Sequence, residues 1–315
     1  MLDPHSTRLF PKNRGADGYR LTGFAARCDW VVLSDSTAPF ARLVRTDGSA
    51  VPRTIFLSLR SPFEAFAYFA REILPQLQAP FVLVSGSEDV TVPRQIDRRW
   101  RPYDEAERRC IQDILAHPLL MRWFAENLDD GSHSRLSPLP LGLLPDSEGS
   151  LGGIPVPPIV PPDERPLRVL CGHRIREGEQ WETRRRVTEL CKGPWRSFCT
   201  LLEEDVPEPE FFELVAGHAF VLCTEGGGLD PSPKAWQSIL HGAVPIVRTS
   251  PLRAAYEQLP VAFVADWEPD AISPAILTAW LQTFAPMHGE GSPRREVVRR
   301  LGIDFWWDYI LSALY

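Results

Sequence analysis

Between residues 219 and 266 short apolar runs alternate with stretches whose apolar positions fall three and four residues apart. Residues 219–224, 243–248 and 261–266 are short, apolar and partly β-branched, which predicts buried strands. Between them, 234–241 carries Ala235, Trp236, Ile239 and Leu240 at helical spacing, and 252–259 reads as a second helix. A Ser-Pro pair opens each, Ser232-Pro233 and Ser250-Pro251, the signature of an N-cap followed by a first-turn proline. Strand, helix, strand, helix, strand implies parallel pairing, because parallel neighbours need a long crossover. A weaker alternation predicts strands at 30–34, 54–59, 81–85 and 167–171, and helices at 62–77, 105–115, 118–127 and 182–190. Both halves of the chain are therefore expected to be α/β.

Residues 151–166, LGGIPVPPIVPPDERP, place six prolines where neither a helix nor a central strand can form. The expected organisation is a domain over 1–150, a Pro-rich linker at 151–166, a second domain over 167–290 and a terminal helix in 291–315. That helix carries Phe305, Trp306, Trp307, Tyr309, Ile310 and Leu311, and such a face must dock. Packing back on the first domain is the expectation, with a membrane surface or a dimer partner as the alternative.

At 315 residues and 44% hydrophobic content, each half can bury its own core. A net charge of -7 argues against wholesale nucleic-acid binding. The six cysteines include no CxxC pair and read as free, buried thiols. No apolar run approaches eighteen residues, so the expectation is a cytoplasmic protein, peripheral to a membrane at most. The oligomeric state is not legible.

Candidate chemistry concentrates at the carboxyl ends of the strands, where open parallel sheets take ligands. Glu225 and the triple glycine Gly226, Gly227, Gly228 follow the strand at 219–224, then Asp230, Ser232 and Lys234 lead into the next helix. Glycine lets the backbone approach a ligand, and the amides of Lys234 and Ala235, with the helix dipole, favour an anion. The plainer alternative is that the glycines only make a turn. Arg174 and Arg176 leave the strand at 167–171 and suit phosphate if that strand shares the sheet, or simply line a solvated loop. Arg184, Arg185 and Arg186 read first as surface charge. So do Arg94, Arg98, Arg99, Trp100, Arg101 and Tyr103, which could otherwise face a phosphorylated lipid or an anionic membrane. Ser87 after a strand hints at a serine hydrolase, but its turn lacks the second glycine of a nucleophile elbow.

Residues 220–223, 226–228, Asp230, Lys234, 236–240, Gly242, 245–247 and Arg248, with Tyr256, Leu259, Pro260 and Asp266-Trp267 downstream, resemble the exostosin-like group of GT-B glycosyltransferases over about fifty residues. A weaker similarity covers 80–93, LLMRWFAENL and PLPLGLLP. The resemblance implies two Rossmann-like domains facing across a cleft, with a nucleotide-diphosphate sugar held by the second. It implies that Lys234 neutralises the diphosphate, that Glu225 and Asp230 lie near the sugar, and that the side chain at 237 binds ribose. The group usually has Glu there, and this chain has Gln237. A neutral amide cannot accept two hydrogen bonds as a carboxylate does. No Asp-x-Asp motif occurs, so no metal is expected, and Lys234, Arg248 and Arg174 or Arg176 would carry the leaving-group charge. Asp89, in SGSEDVTVP, is the expected general base, with a turn aspartate as the alternative and His133 as a weaker candidate. The acceptor would be a glycan, a lipid-linked or a small molecule. A non-catalytic nucleotide- or glycan-binding protein is the competing reading, motivated by Gln237.

Overall fold

The computed structural model describes residues 1–9, 18–37, 40–46, 48–143, 152–231 and 233–315. The chain divides into two compact units, one of residues 3–154 and 302–315 and the other of residues 155–301 with 1–2.

The first unit is built on a six-stranded sheet in the order β2-β1-β3-β4-β5-β6. Its strands are β1 (Trp30–Asp35), β2 (Phe40–Arg45), β3 (Thr54–Ser58), β4 (Phe81–Gly86), β5 (Leu120–Ala125) and β6 (Leu136–Pro138). All neighbours are parallel except the β1/β2 hairpin. Helices α1 (Gly23–Arg27), α2 (Pro62–Tyr68) and α3 (Glu105–Ala116) accompany it. Asp104 and Glu107 form a reciprocal capping box that fixes the start of α3.

The structure corrects the helix expected at 118–127, which is β5. Leu120, Trp123 and Phe124 are buried at a spacing that imitates a helix face, because a parallel strand is covered on both sides and so loses its two-residue alternation.

The second unit carries a five-stranded, fully parallel sheet in the order β11-β10-β9-β7-β8. Its strands are β7 (Val169–Cys171), β8 (Cys199–Leu201), β9 (Phe220–Leu222), β10 (Val244–Arg248) and β11 (Ala262–Val264). Its helices are α4 (Glu182–Lys192), α5 (Glu208–Ala216), α6 (Pro233–Leu240), α7 (Arg253–Tyr256), α8 (Pro274–His288) and α9 (Ser292–Leu301). The core joins Val169, Val187, Trp195, Phe220, Ile246 and Trp267. From β7 the chain moves to β8 on one side and then returns to β9 on the other. The connection therefore reverses between β7 and β9, and a crevice opens at their carboxyl ends.

The single helix expected over 291–315 is two helices interrupted at Gly302. α9 belongs to the second unit, and α10 (Ile303–Ser312) to the first, where Tyr309 meets Phe124 edge-on at 5.5 Å. Residues 155–166, expected as a linker, form part of the second unit. Arg165 there donates to the carbonyls of Val160, Val215, His218 and His241. Residues 144–151, where that linker was expected to begin, lie outside the described ones. All six cysteines are free and buried. Among the described residues no helix is long and apolar enough to cross a membrane.

Candidate functional site

The crevice between β7 and β9 gathers four pieces of chain. β9 exits through Cys223, Thr224 and Glu225 into Gly226, Gly227 and Gly228, and Gly228 takes a φ of +60°, a conformation that glycine adopts at no steric cost. β7 exits into His173, whose Nδ1 lies 3.2 Å from Thr224 Oγ1 and whose Nε2 lies 3.0 Å from both the Arg184 carbonyl and Thr188 Oγ1. The His173 ring thus ties the two strand exits to α4.

From α4, Arg184 reaches into the same place. Its Nε donates to the Glu225 carbonyl (3.0 Å), its Nη1 donates to the Arg174 carbonyl (2.9 Å), and the guanidinium lies 4.7 Å from the centre of the Trp181 ring. A Cβ on Gly226 would stand 2.7 Å from Arg184 Nη2. The glycine therefore admits the arginine, a second use for it besides the turn.

The fourth piece is the start of α6. Lys234 is held down at about 8, mainly by burial, with Cys223 and Cys171 opposing and Arg184 adding repulsion. Two cations thus share the crevice mouth with the first-turn amides of α6, which have no intrahelical acceptor. Paired cations beside a helix amino end are the arrangement that suits a multiply charged anion.

The remaining expected residues are placed as follows. Arg248 donates from Nε to Glu225 Oε1 (2.7 Å) and has Asp266 at 3.5 Å, while Trp267 Nε1 lies 3.5 Å from Glu225 Oε2. Glu225 and Arg248 therefore neutralise each other along the edge of β9, β10 and β11. Asp230 is 4% exposed and accepts from the Tyr256 hydroxyl (2.8 Å), which in turn accepts from Trp236 Nε1 (3.2 Å). It acts as a strut between the glycine loop, α6 and α7. Ser250 shapes the turn into α7, its hydroxyl accepting from the Leu252 amide (3.2 Å). Gln237, one turn beyond Lys234, has no side-chain hydrogen bond among the described residues, and Ser232 lies outside them.

Arg174 is turned to the exposed Asp205 (2.8 Å) rather than to the crevice, and Arg176 stacks on Trp181 at 5.6 Å. The arginine that enters the crevice is Arg184, from the run read as surface charge. Arg185 binds the Arg176 and Gly178 carbonyls, and Arg186 binds the Trp267 carbonyl (2.7 Å). The sequence signal for Arg184 was present only indirectly, in a glycine at 226 with no turn requirement of its own.

Asp89, the expected base, lies beyond β4 in the first unit. Its two oxygens accept from Arg8 Nη2 (2.5 Å) and Arg99 Nη2 (2.6 Å). Although burial alone would raise it, these guanidiniums hold the carboxyl far below the ordinary carboxylate range. A carboxylate clamped in this way is a counter-ion and a poor proton acceptor. The arginines at 94, 99 and 101 are answered by Asp130, by Asp89 and Asp97, and by Glu107, so this segment is not a bare cationic face. Among the described residues no three His, Cys, Asp or Glu side chains converge as metal ligands.

No family model matches the chain, and no curated protein matches it in sequence. Among solved structures it is similar to the spinosyn rhamnosyltransferase SpnG complexed with thymidine diphosphate, at 14% identity over 82% of this chain and 73% of that one, with a TM-score of 0.36. It is also similar to an E. coli trehalose-6-phosphate structure bound with UDP-2-fluoro glucose, at 10% identity over 79% and 76%, with a TM-score of 0.41. A GtfA/B complex overlaps 90% of this chain and 65% of its own length at 11% identity and a TM-score of 0.28. At these scores the overlaps are likenesses only, and a functional conclusion has to rest on the chain's own residues.

Proposed function

We propose that the protein is a glycosyltransferase of GT-B type that holds a nucleotide-diphosphate sugar at the β7–β9 crevice and transfers the sugar, without a metal, to a glycan, lipid-linked or small-molecule acceptor. The observation that carries this reading is that Arg184 lies against Gly226 while Lys234, in the first turn of α6, is close enough for Arg184 to repel it, at the point where the sheet's connection reverses. Breaking the bond between the anomeric carbon and the phosphate oxygen leaves negative charge on the departing diphosphate. Stabilising that charge is the main demand on the protein when no metal shares it. A helix amino end supplies about 0.3–1 kcal/mol, and each charged hydrogen bond from Arg184 or Lys234 about 1.5–3 kcal/mol.

Burial holds Lys234 down near 8. A bound diphosphate favours its protonated form, so ligand and proton bind together. Within the same proposal Glu225, Arg248, Asp230 and Ser250 shape the donor site, and Gln237 would meet the nucleoside.

The neutral Gln237 favours one second reading, a nucleotide- or glycan-binding protein without turnover. The two are separated by a thermal-shift screen against nucleotide diphosphates and their sugars, followed by a hydrolysis assay on the ligand that raises the melting temperature most. Stabilisation with release of free sugar supports the enzyme. Stabilisation without release supports the binding protein. Failure of every nucleotide diphosphate and nucleotide sugar to stabilise the protein removes the enzyme and the nucleotide-binding protein, and leaves only glycan binding.

A further inference from the structure

The His173 ring is tied to three points from which the position of Arg184 follows. The Arg184 guanidinium is held by the carbonyls of Glu225 and Arg174, at 3.0 and 2.9 Å. Each of these carbonyls belongs to the residue directly after one that the imidazole fixes. Arg174 follows His173 itself, and Glu225 follows Thr224, whose Oγ1 lies 3.2 Å from Nδ1. The third tie is to the arginine's own backbone, since Nε2 lies 3.0 Å from the Arg184 carbonyl and 3.0 Å from Thr188 Oγ1, one turn further along α4. One ring therefore sets both the root of the arginine side chain and the two carbonyls that its tip reaches.

The partners also fix the ring's proton. A carbonyl oxygen can only accept, so Nε2 carries the hydrogen and donates to the Arg184 carbonyl. Nδ1 of the neutral ring then accepts, and the hydroxyl of Thr224, only 1% exposed, donates to it. The Cys171 thiol faces the same nitrogen at 3.7 Å. Histidine offers a donor and an acceptor on one rigid ring, so β7, β9 and α4 are held at a fixed separation beside Gly226. Such a support matters because a misplacement of about 1 Å is enough to cost a positioned group most of its effect.

We infer that His173 is a positioning residue that holds Arg184 against the glycine loop, and that its effect on binding a diphosphate is exerted through Arg184 and not by contact with the anion. The second half rests on the nucleotide-diphosphate reading of the crevice, and the first half does not.

Two measurements on the full chain test this. The rate at which phenylglyoxal modifies Arg184, followed by peptide mass spectrometry, reads how firmly the guanidinium is held with no ligand present. His173→Phe, which keeps a ring and loses both nitrogens, should raise that rate about tenfold, and His173→Gln, which keeps a donor for the Arg184 carbonyl, should restore much of the protection. Calorimetric titration with inorganic pyrophosphate reads the consequence. His173→Phe should weaken binding about tenfold in the natural background and leave it unchanged in the Arg184→Ala background. Equal phenylglyoxal rates in His173→Phe and the natural protein would overturn the positioning role. Equal weakening in both backgrounds would overturn action through Arg184, because general damage or a direct contact adds independently of the arginine. Pyrophosphate failing to bind the natural protein would instead overturn the anion reading of the crevice, and the phenylglyoxal rates would still decide the positioning. Should His173→Phe fail to fold, Thr224→Val, which deletes one tie at nearly constant volume, carries both measurements with the same expected directions.

Discussion

His288, the last residue of α8, is 2% exposed, and neither ring nitrogen has a hydrogen-bond partner among the described residues. Burial, with Arg294 and Arg165 facing it, pushes its pKa down from 6.5 to about 3. The folded state therefore binds this proton less readily than the unfolded chain. The stability associated with neutral His288 is fully present above about pH 6.5 and is lost as pH falls toward 3. At pH 4.5 the unfolded histidine is protonated and the folded one is not, so the loss is set by the two pH units below the unfolded value. At about 1.4 kcal/mol per unit, that is roughly 2–3 kcal/mol. His288→Phe keeps the ring shape and removes the proton site. Urea unfolding of both proteins at pH 7.5 and pH 4.5 should show the natural sequence losing about 2–3 kcal/mol more than the variant. Taking the difference between the proteins cancels groups that titrate in both, such as Glu126, which burial pushes up to about 7. Equal losses would refute the claim that His288 is buried in its neutral form.

Four further outcomes are expected. Lys234→Ala should weaken nucleotide-diphosphate binding by about 1–3 kcal/mol in calorimetry, and unchanged affinity would take Lys234 out of the site. In the natural protein the same affinity should fall as pH rises through about 8, where the Lys234 ammonium loses its proton, and a flat profile from pH 7 to 9 would contradict its role. Gly226→Ala, whose Cβ would meet Arg184 Nη2 at 2.7 Å, should displace that side chain and weaken the same ligand while leaving the melting temperature within a few degrees. Tyr256→Phe should cost about 1–3 kcal/mol of unfolding free energy, because it leaves buried Asp230 short of a donor; no loss would show that the strut carries nothing.

Which parts of the chain could be read in advance follows from how local their causes are. The alternation from β9 to β11 was legible because each element carries its own punctuation, with Pro233 opening α6 and Gly242, at a φ of +80°, closing it. β5 was not legible, since a strand buried on both faces at Leu120, Trp123 and Phe124 shows the spacing of a helix. The glycine loop and Lys234 could be nominated as an anion site, because strand exits and helix starts are fixed by sequence order.

Partnerships across the sheet could not be nominated. That Arg184 turns inward while Arg174 turns to Asp205, that Glu225 is neutralised by Arg248, and that Asp89 is clamped by Arg8 and Arg99 all depend on residues 10 to 81 positions apart. The sequence by itself determined the α/β alternation, the strand exits where chemistry can gather and the need for glycine beside them. Those follow from backbone sterics and the burial of apolar surface, which act over a few residues. Only the tertiary structure decided which charges meet, because the strand order that brings them together is set by packing of the whole sheet. In a low-dielectric edge that decision separates a cation turned into a crevice from one that serves as a counter-ion.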